Sequence, residues 1–304
     1  MDVFFALQYF VSLKKYADMN KSLYLFAALF VLFGCDEAYE SDNSESGTTA
    51  PPVSDFSPSG SGAYWIYDVA SSSSQVLDMN FTAIDSIYVA SNNGTSFTLD
   101  ANDDGIARGN MNMLLTNGLL NKTSTTLMFD GAIDIPENLA DLGFTQDLSI
   151  EDMTLLDLNA SNGGVLFLNE GDFSETIDIQ GVSVPIEVQS KISTTKINMH
   201  DTKTLNGTDY DNVFEGEFAL NISISGSFTV AGITQTIPIL EAQDVMKTTY
   251  FYVENIGLAR AETIQGINLS NQLTALLSLL NITLDIPTTV AIENVEELRD
   301  FSVE

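Results

Sequence analysis

From Ala63 onward, apolar and polar residues alternate with a period of two over short runs, and turn-forming residues separate those runs. Residues 85–90 (DSIYVA), 96–99 (SFTL), 125–129 (TTLMF), 165–168 (VLFL) and 195–199 (TKINM) suit strands with one buried face. Asn92-Asn93-Gly94, Asn117-Gly118, Asn162-Gly163-Gly164 and Asn206-Gly207 supply turn chemistry along the whole segment. Successive strands without intervening helical periods predict antiparallel pairing rather than βα units. The expected class is all-β: mostly antiparallel sheet, a sandwich or a curved half-barrel, with one or two short helices.

Two stretches read as similar hairpins, 176–186 (TIDIQGVSVPI) and 229–239 (TVAGITQTIPI). Each has a glycine in a short turn and a proline between β-branched residues in its second strand. Proline removes a ladder donor, so Pro185 and Pro238 mark an edge or a bulge. Residues 133–136 (IDIP) and 284–287 (LDIP) repeat the ending. The β pattern breaks at 268–280 (NLSNQLTALLSLL), where apolar residues at 269, 273, 276, 277 and 280 predict an amphipathic helix capped by Asn268 or Ser270. A weaker helical signal covers 136–142.

The first 35 residues follow another pattern. In 19–35 (MNKSLYLFAALFVLFGC), Lys21 precedes eleven apolar residues, 23–33. Such a run is too short to cross a bilayer core of about 30 Å, which takes about 20 residues, and has the length of a signal-peptide hydrophobic region. Leu32-Phe33-Gly34-Cys35 resembles a lipobox, although Phe33 is bulkier than the usual residue there. The resemblance implies cleavage before Cys35, the only cysteine, and lipidation of its thiol; a buried free thiol is the alternative. Residues 1–18 are themselves apolar and carry Lys14-Lys15, so Met19 is the expected start. Translated from Met1, the two apolar stretches would form an uncleaved anchor.

Residues 36–62 turn to Ser, Gly, Thr, Pro and acids and read as a tether that cannot bury enough apolar surface to order itself. The expected organisation is a signal peptide (1–34), a lipidated flexible tether (35–62) and a β-rich extracellular domain (63–304). Asp36, Glu37, Glu40 and Asp42 are similar to the acidic export signal of surface lipoproteins in Bacteroidota, which implies an outer-membrane or cell-surface location.

Charge narrows the partners. Of 11 basic residues, Lys14, Lys15 and Lys21 precede Cys35, and of 42 acidic ones, Asp2 and Asp18 do. The mature chain therefore keeps 8 and 40, a formal net charge of −32. Such a field repels nucleic-acid phosphates and anionic lipid surfaces, so no nucleic-acid partner is expected and membrane association rests on the N-terminal lipid. A solubilising surface explains the acids more simply than a dedicated cationic partner.

The candidate chemistry is sparse. Asp100, Asn102 and Asp104, followed by Gly105, fit the D-x-[DN]-x-[DN]-G opening of a calcium loop and make calcium the one candidate cofactor. Met111 stands where the loop expects a bidentate glutamate, no clear helical pattern flanks it, and a solvated turn uses the same residues. His200 is the sole histidine, without a nucleophile elbow. No phosphate loop or dinucleotide fingerprint occurs.

Residues 207–213 (GTDYDNV) and 250–260 (YFYVENIGLAR), together with Tyr64-Trp65 opening the domain, resemble uncharacterised secreted lipoproteins of Bacteroidota. The resemblance implies a β-rich extracellular domain without an assigned activity. Tyr64, Tyr250 and Tyr252 read as sheet-packing residues rather than a sugar platform. The expected function is a surface-anchored lipoprotein with a non-catalytic binding or structural role in the cell envelope, for a glycan, peptide or lipid ligand. The alternatives are a carrier of an apolar ligand inside a curved sheet and a secreted hydrolase.

Overall fold

The computed structural model describes residues 55–133, 148–179, 182–230, 232–279 and 287–303. All belong to the compact unit Ala50–Glu304. The expected 136–142 helix and the 284–287 repeat fall largely outside them, as does Cys35.

Twelve strands form one antiparallel sheet that curls into a nearly closed barrel. The first meander comprises β1 (Tyr64–Ser72), β2 (Phe81–Asn92), β3 (Ser96–Ala101), β4 (Gly118–Lys122), β5 (Thr126–Ile133) and β6 (Leu148–Asp157). The second comprises β7 (Val165–Ile179), β8 (Val182–Leu205), β9 (Thr208–Val230), β10 (Ile233–Val253), β11 (Gly257–Asn268) and β12 (Thr289–Ser302). The meanders join where β1 pairs with β12, from Tyr64 opposite Ser302 to Ser72 opposite Glu293. The two edges are then β6 and β7, neighbours in sequence.

The seam is closed by side chains. Thr194 of β8 donates to the Thr154 carbonyl at 2.5 Å, Tyr250 of β10 to that of Leu155 at 2.6 Å, and the Lys196 ammonium to that of Leu158 at 3.0 Å. These bonds occupy the carbonyls of Thr154 and Leu155 on β6 and of Leu158 just beyond its end. Burial lowers the pKa of Lys196 from the ordinary lysine value, with Asp157 opposing, and its ammonium also lies 5.6 Å from the Phe214 ring centre.

Alternation explains the core. Trp65, Tyr67 and Val69 on β1, Phe214, Phe218 and Leu220 on β9, and Phe97 and Phe129 on β3 and β5 point inward and are buried. Each fully buried aromatic contributes about 2–3 kcal/mol by leaving water. Their polar ends are bonded across the interior: the Trp65 indole donates to the Ile256 carbonyl at 2.6 Å and the Tyr67 hydroxyl to that of Leu258 at 2.8 Å. Burial pushes the phenols of Tyr67, Tyr250 and Tyr252 well up, so they remain neutral.

Gly216 lies opposite Tyr250, and a Cβ there would overlap the tyrosine ring. The glycine lets the ring lie against β9 and reach β6. Gly216→Ala is expected to cost about 1–3 kcal/mol by overpacking and to release the bond to Leu155; denaturant unfolding checks the first, near-ultraviolet circular dichroism the second.

β7 pairs with β8 and β9 with β10 on either side of both expected turns, of which 180–181 and 231 lie outside the described residues, and the strands are far longer than the sequence runs suggest: 15, 24, 23 and 21 residues. The prolines mark interruptions, as expected. The β8–β9 ladder stops at Ile186 opposite Gly226, next to Pro185, and Pro238 adjoins a register shift in the β9–β10 ladder.

Among the described residues, two α-helices accompany the sheet. The helix α2 (Asn271–Leu279) occupies the expected segment; Ser270 caps it by accepting from the Leu273 N–H at 3.0 Å, and Leu273 and Leu277 are buried. The helix α1 (Asn110–Thr116) follows the 100–105 loop, where the sequence shows no helical pattern. It spans only seven residues and its N-terminal partners come from distant strands. Residues 55–62, at the end of the segment read as tether, are packed: Phe56 is buried, and Asp55 exchanges backbone and side-chain bonds with Asn255 and pairs with Lys122. Phe56 supplies the apolar anchor that the rest of that segment lacks.

Candidate functional site

Where the β8–β9 ladder stops, a cleft of about 440 Å³ opens among the tips of β7–β10. Ser174 and Thr176 of β7, Pro185 and Glu187 of β8, Ser225 and Ser227 of β9, and Thr236 of β10 line it. These residues are exposed or half-buried, and they alternate with buried Val184, Ile186, Ile224 and Phe228. Hydroxyls bridge β9 and β10 nearby, Ser227 to Thr236 and Thr229 to Thr234, each at 2.9 Å. Glu175 also borders the cleft; its Oε2 is buried without a hydrogen-bond partner. Hydroxyls and carboxylates of this kind bind by donating and accepting hydrogen bonds. No thiol, histidine or cation stands among the lining residues to activate a nucleophile.

A second cleft, of about 430 Å³, opens beside Asp55, Asn92, Lys122 and Asn255. Its cation is already engaged, with Lys122 donating to Asp55 at 2.8 Å and to the Ser57 carbonyl at 2.7 Å.

The most concentrated polar chemistry is inside the barrel. Asp85 on β2 and Glu296 on β12 are completely buried and converge on the start of α1. The Asp85 carboxylate accepts from the backbone N–H groups of Arg108 (2.9 Å) and Gly109 (2.8 Å) and from the side-chain amides of Asn102 (3.0 Å) and Asn112 (3.2 Å). Glu296 accepts from the N–H groups of Met111 (2.7 Å) and Asn112 (2.9 Å). Asn294 accepts from that of Asn110. The orphan donors of the helix start are thus satisfied by strands far away in sequence. Burial pushes the Glu296 carboxyl up to about 8 against the pull of the two N–H groups, and the adjacent Asp85 charge adds to the rise. A Cβ at Gly109 would overlap the Glu296 carboxylate, so the close approach requires glycine. Nothing in the sequence separates this pair from the many other acids except that both residues fall in the buried phase of their strands.

The calcium-loop residues are brought to one loop but are committed elsewhere. Asp100 Oδ1 accepts from the Ala101 N–H at 2.8 Å. Asn102, at φ 49°, accepts from the Ser86 N–H at 2.8 Å and donates to Asp85 and the Ile106 carbonyl. Asp104 pairs with Arg108 at 2.6 Å, and the bonds from Arg108 and the Ile106 N–H hold its carboxyl below the ordinary range. Among the described residues, no group of three or more His, Cys, Asp or Glu side chains is placed to hold a metal.

His200 contacts Glu215 at 2.6 Å, and Lys203 pairs with the same carboxylate at 2.9 Å. Burial opposes ionisation of Glu215, but the bonds from Lys203 and His200 outweigh it and hold the carboxyl below its ordinary value. The cluster packs beside Phe251, whose ring centre lies 4.5 Å from the Lys203 ammonium. Tyr250 and Tyr252 are buried and in edge-to-face contact, as sheet-packing residues should be, whereas Tyr64 is half-exposed at the start of β1.

Comparison with protein-family models, curated proteins and solved structures finds no match to this chain.

Proposed function

We propose that this protein is a lipid-anchored component of the cell envelope, held at the outer membrane or cell surface through Cys35, whose β-barrel body has a non-catalytic binding role. The cleft at the β7–β10 tips is the observation that carries the binding role: it is open to solvent and lined by side chains suited to recognising a polar ligand. The interior offers less. The cavity beside Trp65, Tyr67, Phe97 and Tyr252 is about 30 Å³, room for a water rather than an apolar cargo, and the buried carboxylates are occupied by α1. This favours a binding body over a carrier or a hydrolase.

The anchor is tested by intact mass and N-terminal lipid analysis of the native protein. The expected result is a chain beginning at a lipidated Cys35, and an unmodified thiol overturns it. The cleft is tested by enlarging Ser227 to Tyr and screening envelope glycans and peptides. A ligand retained with unchanged affinity places binding elsewhere, and turnover of any ester or glycoside in that screen overturns the non-catalytic reading.

A further inference from the structure

The two edges of the sheet are finished differently. β6 has Asp152 at φ 55° and shifts register twice against β5, and side chains from β8 and β10 occupy its Thr154 and Leu155 carbonyls. These are devices that stop an edge from recruiting another strand. β7 lacks them. From Phe167 opposite Thr194 to Ile179 opposite Val182 its ladder with β8 runs without a shift, β7 itself contains no proline, and among the described residues no strand pairs with its other side. This stretch, 167–179, is about 43 Å of extended backbone, and about half of its N–H and C=O groups point away from β8.

The charge along that edge selects its occupant. Glu170 and Asp172 are two residues apart, so they share a face, and both are exposed. Ser174 and Thr176 follow on the same face at the mouth of the cleft. Glu175 adds a carboxylate oxygen without a donor. Residues 171–190 and 221–243 contain five acids and no lysine or arginine. The nearby Lys191 is 3.6 Å from Glu170, with both side chains more than half exposed. A second copy of the chain fits poorly, because antiparallel self-pairing centred on Asp172 sets that carboxylate against its own twin, and like charges directly opposite are destabilising.

We propose that the free β7 edge, residues 167–179, binds by strand addition an extended segment of a partner protein that carries Lys or Arg at alternate positions. Main-chain hydrogen bonds supply affinity, and ammonium or guanidinium groups facing Glu170 and Asp172 supply selectivity. The inference rests on the reading of the body as a binding body and names its partner class.

The probe is a capped octapeptide of alternating Lys and Val, titrated calorimetrically into the full chain while hydrogen exchange is followed along β7. The Lys peptide is expected to bind and to slow exchange in β7, and a Glu-for-Lys peptide is expected not to bind. Of two Lys peptides N-methylated on opposite sets of alternate amides, one loses at least tenfold in affinity and the other retains it, because only one set faces the edge. Glu170→Lys with Asp172→Lys, both exposed, lowers affinity at least tenfold without altering the thermal midpoint by more than a few degrees. Equal binding of both N-methylated peptides shows attraction by charge alone and overturns strand addition. Absence of binding by the Lys peptide, or a concentration-dependent dimer that excludes it, also overturns the proposal. None of these outcomes bears on lipid at Cys35, so this proposal and the anchor fail separately.

Discussion

Asp85→Ala is expected to be among the most damaging single substitutions in the barrel, costing on the order of 4 kcal/mol. The side chain is fully buried and accepts from the Arg108 and Gly109 N–H groups and from the amides of Asn102 and Asn112. Alanine removes every acceptor at once and leaves those donors in a low-dielectric interior, each unsatisfied group costing about 1–3 kcal/mol. For a body of this size, that loss lowers the thermal midpoint by roughly 8–16 °C. Asp85→Asn keeps the shape but replaces one acceptor with a donor, so it recovers only part of the loss. Chemical and thermal unfolding of the three proteins checks the order. A loss below about 1 kcal/mol for the alanine variant would mean that water reaches the site and that the strands do not hold the 106–112 segment as described.

The contrast between the two helices shows what a sequence displays. α2 was legible because its determinants are local: Ser270 caps, and Leu273 and Leu277, four apart, form the buried stripe. α1 was not, because the groups that start it lie on β2 and β12, and the residue before it, Gly109, has no side chain to cap with. The buried carboxylates were half legible. In 85–89 Asp85 shares the phase of Ile87, and in 290–296 Glu296 and Asn294 share that of Val290 and Ile292. A charged residue in the apolar phase of a strand must have partners waiting for it, but nothing in the sequence says that they belong to a helix start.

The same distinction applies to the sheet. That β7 pairs with β8 and β9 with β10 follows from the turn glycines in the sequence and from the period-two runs on either side. Closure of the barrel depends on Thr194, Lys196 and Tyr250 reaching β6, and on Gly216 making room for Tyr250. Those contacts depend on the register of strands up to about a hundred residues apart, which alternation leaves open. The candidate cleft is legible in one residue only. Pro185 announces an interruption, whereas Ser225, Ser227 and Thr236 are ordinary outward strand residues until the ladder stops beside them.

Replacing Glu296 with glutamine is expected to flatten the dependence of stability on pH between about 4.5 and 8. Burial, with the nearby Asp85 charge adding, raises this carboxyl from 4.5 to about 8 in the folded protein, so over that interval the native state holds a proton that the unfolded chain has lost. Stability then falls as pH rises, by about 1.4 kcal/mol per pH unit for a single group. The contribution is complete below the unfolded value near 4.5, declines through the interval and is exhausted above about 8. The total is on the order of 4–5 kcal/mol. Glutamine stays neutral throughout and retains a carbonyl oxygen to accept from the Met111 or Asn112 N–H. The variant should therefore lose this slope and be the more stable protein at pH 8, with the difference narrowing or reversing near pH 5. Urea unfolding at half-unit steps from pH 5 to 8.5 reads the slope directly. Self-repulsion of a chain with a net charge of −31 also grows with pH, but it is common to both proteins and cancels in their difference. If that difference stays constant across the interval, Glu296 is ionised in the fold throughout, and the N–H groups of α1, rather than burial, govern its charge.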